Sequence, residues 1–289
     1  KKKAGLLGSV QSLWDRKYQE VRAVDDISFE IQPGEIVGFI GQNGAGKTTT
    51  LKMLSGLLYP TAGEVSVLGF NPWDRKSEFQ KQFALVMGQK NQLWWDLPAM
   101  ESFLLNKAIY EVPEQQFKKT LAKLIDLLEV QDIVNVQVRK LSLGQRMKCE
   151  LIAALLHNPK VLFLDEPTIG LDVVMQKVLR DFIKAYNQEF KATIILTSHY
   201  MGDVKELCKR AIVIDQGKMI FDGDLQEIID RYARNKILSL VLSEPTKRAQ
   251  LEKFGEVKDF EYPKATLLVP RANAPKIAGE LLNLSLIHI

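Results

Sequence analysis

The stretch Ile36-Val-Gly-Phe-Ile-Gly41-Gln-Asn-Gly-Ala-Gly-Lys-Thr-Thr49 decides the fold. Its first five residues are a compact apolar run that reads as a buried strand, and the apolar-periodic segment from Lys47 through Leu58 reads as a helix. The loop between them, Gly41 to Thr48, satisfies G-x-x-x-x-G-K-[ST] in full, with Gly41, Gly46, Lys47 and Thr48 in the fixed places. Glycines there let backbone N–H groups close around phosphate oxygens, and the helix N-terminus adds partial positive charge. Lys47 is placed to reach the β- and γ-phosphates and the Thr48 hydroxyl to ligate Mg²⁺. The dinucleotide pattern G-x-G-x-x-G is not met, because Gly44-Ala-Gly46 is followed by Lys47-Thr48-Thr49, so a nicotinamide enzyme is disfavoured.

Outward from this loop, Pro33-Gly34 forces a turn, and Val24 to Ile31 partly alternates apolar and polar residues as a half-buried strand would. Two later runs, Val161 to Leu164 and Thr193 to Leu196, read as fully buried strands of a parallel sheet. The first leads into Asp165-Glu166-Pro167 and the second into Thr197-Ser198-His199. Carboxylates at a strand end lie at the edge where open α/β sheets bind ligands. Asp165 is suited to hold Mg²⁺ through water and Glu166 to polarise a water attacking a γ-phosphate. Strand ends thus deliver a phosphate loop, a carboxylate pair and a histidine to one edge.

Between roughly 90 and 160 the segments Ser102 to Tyr110, Pro113 to Leu128 and Ser142 to His157 show helical spacing with no good strand between them, the pattern of a helical insertion in an α/β domain. After Asp222-Gly223-Asp224 come a helix (Leu225 to Ala233), a strand (Ile237 to Leu242), a helix (Pro245 to Phe254), strands near 256–261 and 265–269, and a helix from Asn273. This order predicts a small α+β domain over 226–289, following a main domain over 1–225. With 39 basic and 35 acidic residues the net charge of +4 is small and evenly spread, so no direct nucleic-acid partner is expected. No stretch approaches the ~20 apolar residues of a membrane helix. Two cysteines, Cys149 and Cys208, make no disulfide framework, and a reducing compartment fits best. The chain begins with Lys and not Met, which reads as a fragment or a trimmed chain, and Ser285 to Ile289 read as a truncated or spurious end.

Taken together these residues resemble the nucleotide-binding domain of an ATP-binding cassette (ABC) transporter. Leu141-Ser142-Leu143-Gly144-Gln145 is similar to that family's signature motif, with Leu143 in place of the more common glycine, and it precedes the Asp165-Glu166 strand at the expected distance. Ser142 is also an N-cap for the helix that follows. The resemblance covers roughly residues 10 to 225. It implies a P-loop core of ABC type with a helical signature subdomain, ATP and Mg²⁺ as the bound species, and a loop Gly41, Gln42, Asn43, Gly44, Ala45, Gly46, Lys47, Thr48, Thr49 around the phosphates. Glu166, His199, Lys47 and Gln89 are the catalytic positions it implies, and Thr48, Gln89 and Asp165 the metal positions. Gln92 competes with Gln89, which is preferred because it directly follows the apolar strand. Tyr18 is the implied adenine-stacking aromatic, with Trp14 as its competitor. Ser142 and Gly144 are the implied γ-phosphate contacts of a facing subunit, Gln145 is a further implied nucleotide-binding position, and Asp172 in Ile169-Gly-Leu-Asp, also implied in nucleotide binding, is the residue that faces that subunit.

The same resemblance implies that two copies, or one copy and a homologous ATPase subunit, enclose ATP between the phosphate loop of one and the signature of the other. One cassette without a membrane span implies a separate integral membrane permease, to which the chain is bound at the cytoplasmic face of the plasma membrane. Gly88-Gln-Lys-Asn-Gln-Leu-Trp-Trp-Asp-Leu-Pro98 and the C-terminal extension resemble ATPases that serve ABC-2 type permeases, which favours export. The alternative is an ABC ATPase that acts on nucleic acid or ribosomes. Such proteins usually carry long coiled coils or two cassettes, and this sequence has neither.

Overall fold

The computed structural model describes residues 21–88, 90–232 and 235–283. The chain divides into two compact units between Asp222 and Gly223. The larger is built on a six-stranded sheet of order β2-β3-β4-β1-β5-β6. These strands are β1 (Ile36–Ile40), β2 (Phe83–Met87), β3 (Val161–Asp165), β4 (Thr193–Ser198), β5 (Arg210–Asp215) and β6 (Lys218–Asp224). The β1, β3 and β4 runs are short and apolar because both faces of the sheet are covered. Val37, Phe39, Val161, Phe163, Ile195 and Ile212 cluster on one face with Leu51 of the helix Lys47–Leu54. Leu162, Leu164, Ile194 and Leu196, which alternate with them, are also buried. Each such side chain stabilises the fold by about 1.5–3 kcal/mol on burial. Gln216 and Gly217, which join β5 to β6, both have positive φ, the requirement of a tight type I′ hairpin turn.

Parallel register carries the strand ends to one edge. Met87 lies beside Asp165, Asp165 beside Thr197, and Ser198 beside Ile40. The residues that follow these strands therefore emerge together, as the sequence predicts.

The helical insertion contains Ala99–Ile109, Glu114–Leu128 and Leu143–Leu155, and among its described residues the only β pairing is the isolated Pro98–Gln137 bridge. The Leu143–Leu155 helix packs on β2 and on the other two helices. Its N-terminus is closed by a capping box: Ser142 Oγ accepts from the Gln145 N–H, and Gln145 Oε1 accepts from the Ser142 N–H.

Three expectations need correction. Val24 to Ile31 is not a strand, although Ile27, Phe29 and Ile31 do turn inward against the core. The alternation recorded burial on one side, whereas a strand also needs a ladder of backbone bonds. The helix after Gly46 stops at Leu54 and not at Leu58, and Gly56 follows with φ +70. In the smaller unit, the helix expected over Pro245 to Phe254 is only Arg248–Leu251.

That smaller unit is otherwise a three-stranded antiparallel sheet of order β7-β9-β8, formed by β7 (Asn235–Val241), β8 (Glu256–Glu261) and β9 (Lys264–Pro270). Leu240, Leu251, Val257, Leu267, Val269 and Leu281 of the Ala274–Asn283 helix form its own core.

Candidate active site

Lys47 opens the helix after the glycine loop and is 5% exposed. Its Nζ donates to the Gly41 carbonyl at 2.6 Å and the Gln42 carbonyl at 3.0 Å, and lies 3.9 Å from Glu166 Oε1. The ammonium is thus held over the loop by backbone oxygens. Gly46, the N-cap, has φ +109, and a Cβ there would fall 2.4 Å from the Ala23 carbonyl oxygen. Only glycine fits. Gly46 offers no side chain to cap this helix, so its first N–H groups face the loop.

Thr48, next in the helix, donates its hydroxyl to Asp165 Oδ2 at 2.8 Å. Thr197, the neighbour of Asp165 across β3 and β4, donates to Oδ1 at 2.7 Å. Asp165 is therefore pinned from two sides. A hydroxyl and a carboxylate from segments 117 residues apart form a hard-oxygen set of the kind Mg²⁺ takes. The donor set fits that ion.

Glu166 has φ +51, in the left-handed region that costs a non-glycine residue about 1–3 kcal/mol unless its surroundings hold it. Its N–H donates to both the Thr197 hydroxyl at 3.0 Å and the Thr197 carbonyl at 3.2 Å. Its carbonyl is crowded by Gly88, where a Cβ would lie 2.1 Å away. This twist turns the carboxylate toward both Lys47 and His199, whose Nδ1 is 3.3 Å from Oε1. Glu166, Ile169, Gly170, Gln176, His199 and Tyr200 line a cleft beside it. A carboxylate so placed, next to a cation and an imidazole, can accept a proton from a water in that cleft.

Gly144, at the start of the signature helix, is packed so closely that a Cβ would meet Met175, and Leu143 approaches Gly170. The signature therefore lies against the Gly170–Met175 segment of the same chain. Asp172 caps the Val173–Phe190 helix by accepting from the Met175 N–H at 2.8 Å. Beside it Val173 and Val174 are 77% and 73% exposed. Tyr18, Trp14 and Gln89 lie outside the described residues. Gln92, the competitor of Gln89, donates its amide to the Leu85 carbonyl at 3.0 Å. Sequence reasoning missed Thr197, although a threonine next to Ser198-His199 at a strand end was a signal for it.

Glu150, one turn beyond Arg146 on the signature helix, is 1% exposed. Burial pushes its carboxyl from 4.5 up to about 7, against the pull of Arg146 and of the Gln92 backbone N–H. Its Oε2 has no hydrogen-bond partner among the described residues. The folded state thus binds a proton that the unfolded chain has released between pH 4.5 and 7, so stability falls as pH rises through that window, by at most about 3 kcal/mol. Glu150→Gln should remove this slope, and its melting temperature should gain on that of the parent chain from pH 4.5 to 7 and hold the gain above. Parallel melting curves for the two proteins across the window would refute the assignment.

Residues 24–169 match the family model described as ABC transporter, and residues 234–285 match the one described as EvrA-like ABC transporter, C-terminal domain. The chain is 34% identical to the ABC transporter ATP-binding protein NatA of Bacillus subtilis, over 74% of this chain and 89% of NatA. It is 31% identical to Nod factor export ATP-binding protein I of Burkholderia thailandensis, over 84% of this chain and 79% of that protein. A solved ATP-binding subunit of an ABC transporter superposes with a TM-score of 0.66 at 26% identity, covering 73% of this chain and 87% of that one. With a phosphate loop, paired strand-end carboxylates and a capped signature helix in this one framework, the chain belongs to the ABC transporter family, as an ATP-binding subunit that hydrolyses ATP.

Proposed function

We propose that the chain is the ATPase subunit of an exporter, that it completes its ATP site with a second copy or a homologous subunit, and that it drives a separate ABC-2 type permease from the cytoplasmic face of the membrane. The observation that carries the chemistry is the 2.8 Å contact between Thr48 and Asp165, with Lys47 and His199 both turned to Glu166. Gly41 to Thr49 supply backbone N–H groups to the phosphates, and Lys47 neutralises β- and γ-oxygen charge. Thr48 and Asp165 would hold Mg²⁺, which when bound would supply positive charge to offset that of the phosphates. Glu166 orients a water and takes its proton on a carboxylate oxygen, while His199 holds the carboxylate in place. Ser142 and Gly144 of the facing subunit meet the γ-phosphate, with Gln145 a further nucleotide-binding position. Gln89 and Tyr18 keep the roles that the resemblance gives them. Most of the rate enhancement comes from positioning and charge, since phosphoryl transfer asks for little else.

The export direction draws on the likeness to the Nod factor export protein. The membrane partner is assigned to the surface after the Gly88 turn. Trp94 and Trp95 are 50% and 49% exposed, whereas Leu93 beside them is buried. Two half-exposed tryptophans are poor core residues and good interface anchors. Arg146 of the signature helix lies over the Trp95 ring, 5.7 Å from its centroid, so a partner seated there also touches the signature. Trp94→Ala or Trp95→Ala should stay folded and hydrolyse ATP alone, yet at least one should fail to co-purify with a membrane permease that the parent chain retains. Loss of several degrees of thermal stability in both variants would make these residues core and end the docking assignment. Recovery of ribosomes in place of a membrane protein would overturn the transporter reading.

A further inference from the structure

The loops that carry Glu166 and His199 are tied to one buried carboxylate, Asp203, in the Met201–Leu207 helix. Asp203 is 0% exposed. Its Oδ2 accepts from the Thr168 hydroxyl at 2.5 Å and lies 3.3 Å from the Ser198 hydroxyl. Thr168 stands two residues after Glu166, and Ser198 immediately before His199. On the other side Oδ1 accepts from Arg180 Nη1 at 2.9 Å, and Arg180 Nε donates to Glu206 at 2.8 Å. Thr168, Ser198 and Arg180 are themselves buried. Ser198 also accepts from the Tyr200 N–H at 2.9 Å, which fixes the turn on the far side of His199.

The Ser198 hydroxyl has the Tyr200 carbonyl as a second acceptor at 3.1 Å, so the firm donors to Asp203 are Thr168 and Arg180; a buried carboxylate so bonded has a defined place, since any shift leaves a donor or the carboxylate unpaired in a medium that cannot replace water. Glu166 needs such an anchor. Its left-handed backbone persists only if both flanks are held: Thr197 holds the N–H side, and the carbonyl side, packed on Gly88 and accepting from the Ile169 N–H at 3.2 Å, belongs to the turn that Thr168 ties to Asp203. The Met201–Leu207 helix packs on β1 and β4, so the anchor rests on the centre of the sheet.

We propose that Asp203 is a positioning residue: through Thr168 and Ser198 it locks the Glu166 and His199 loops to each other, and so sets the turnover rate without setting ATP affinity. This inference rests on the reading of Glu166 as the base.

The test removes a tether and leaves the charge pair intact, because Asp203→Asn would take from Arg180 its buried carboxylate partner and leave it only Glu206. Thr168→Val keeps the shape and loses the hydroxyl. In the full-length protein it should lower kcat at least about tenfold, the scale of a small displacement of reacting groups, with KM for ATP unchanged. Thr168→Ser restores the hydroxyl and should recover kcat to within about twofold. Ser198→Ala is the second probe if the valine variant does not fold, and the same split of kcat from KM is expected. Wild-type kcat in Thr168→Val, or equal impairment of the valine and serine variants, overturns the proposal. Glu166→Gln is measured alongside. If that variant is slow and Thr168→Val is normal, only the positioning role fails; if it turns over normally, the base assignment fails and the positioning role with it.

Discussion

Glu166→Gln is expected to bind ATP and hydrolyse it at least ~100-fold more slowly than the parent chain, the scale of losing general-base assistance. The amide has the volume of the carboxylate, and the N–H bonds to Thr197 that hold the left-handed backbone are untouched. What changes is the charge, and with it the ability to take a proton from water. The 3.9 Å approach of Lys47 also loses its anionic partner. Lys47 keeps its two loop carbonyls, so the phosphate site should persist. Nucleotide titration followed by single-turnover hydrolysis separates the two effects. Turnover near the parent rate would remove Glu166 from the role of base and leave Asp165, whose oxygens are committed to Thr48 and Thr197, as a poor substitute.

Ser142→Arg should abolish turnover while leaving ATP binding to the isolated chain intact. Ser142 is exposed at the tip of its helix, so an arginine can be accommodated in a single copy. The lost cap costs about 1 kcal/mol, a few degrees of melting temperature in a protein of this size. Any larger loss of activity must therefore come from what Ser142 meets outside its own chain. If ATP is enclosed between facing copies, a long cation at the signature keeps them apart. A variant that folds and turns over normally would place the hydrolytic site wholly within one chain.

Much of this site was legible in the residues because each chemical group follows a strand or opens a helix. The loop Gly41 to Thr48 is specific by itself, and Asp165-Glu166 and His199 inherit their meeting point from parallel register. Ser142 announced its capping box through Gln145 three positions on. Other features depend on partners far along the chain. Thr168, Asp203 and Arg180 read separately as a loop threonine, a helix acid and a helix base, and their burial as one cluster depends on how three segments pack. The left-handed backbone of Glu166 has no signature either, since it results from Thr197 and Gly88 pressing on both sides. Val24 to Ile31 shows the converse. Alternation there reports which side chains turn inward, and the pairing partners that make a strand are not encoded in it.

Central to the proposed function is that this chain carries half of each ATP site. Binding can shift an association equilibrium only if the nucleotide contacts the assembled form more favourably than the separate copies. Sedimentation of Glu166→Gln, which should hold ATP without consuming it, measures that directly. The expected mass is that of one chain without nucleotide and of two chains with ATP and Mg²⁺; the same mass under both conditions would contradict a shared ATP site.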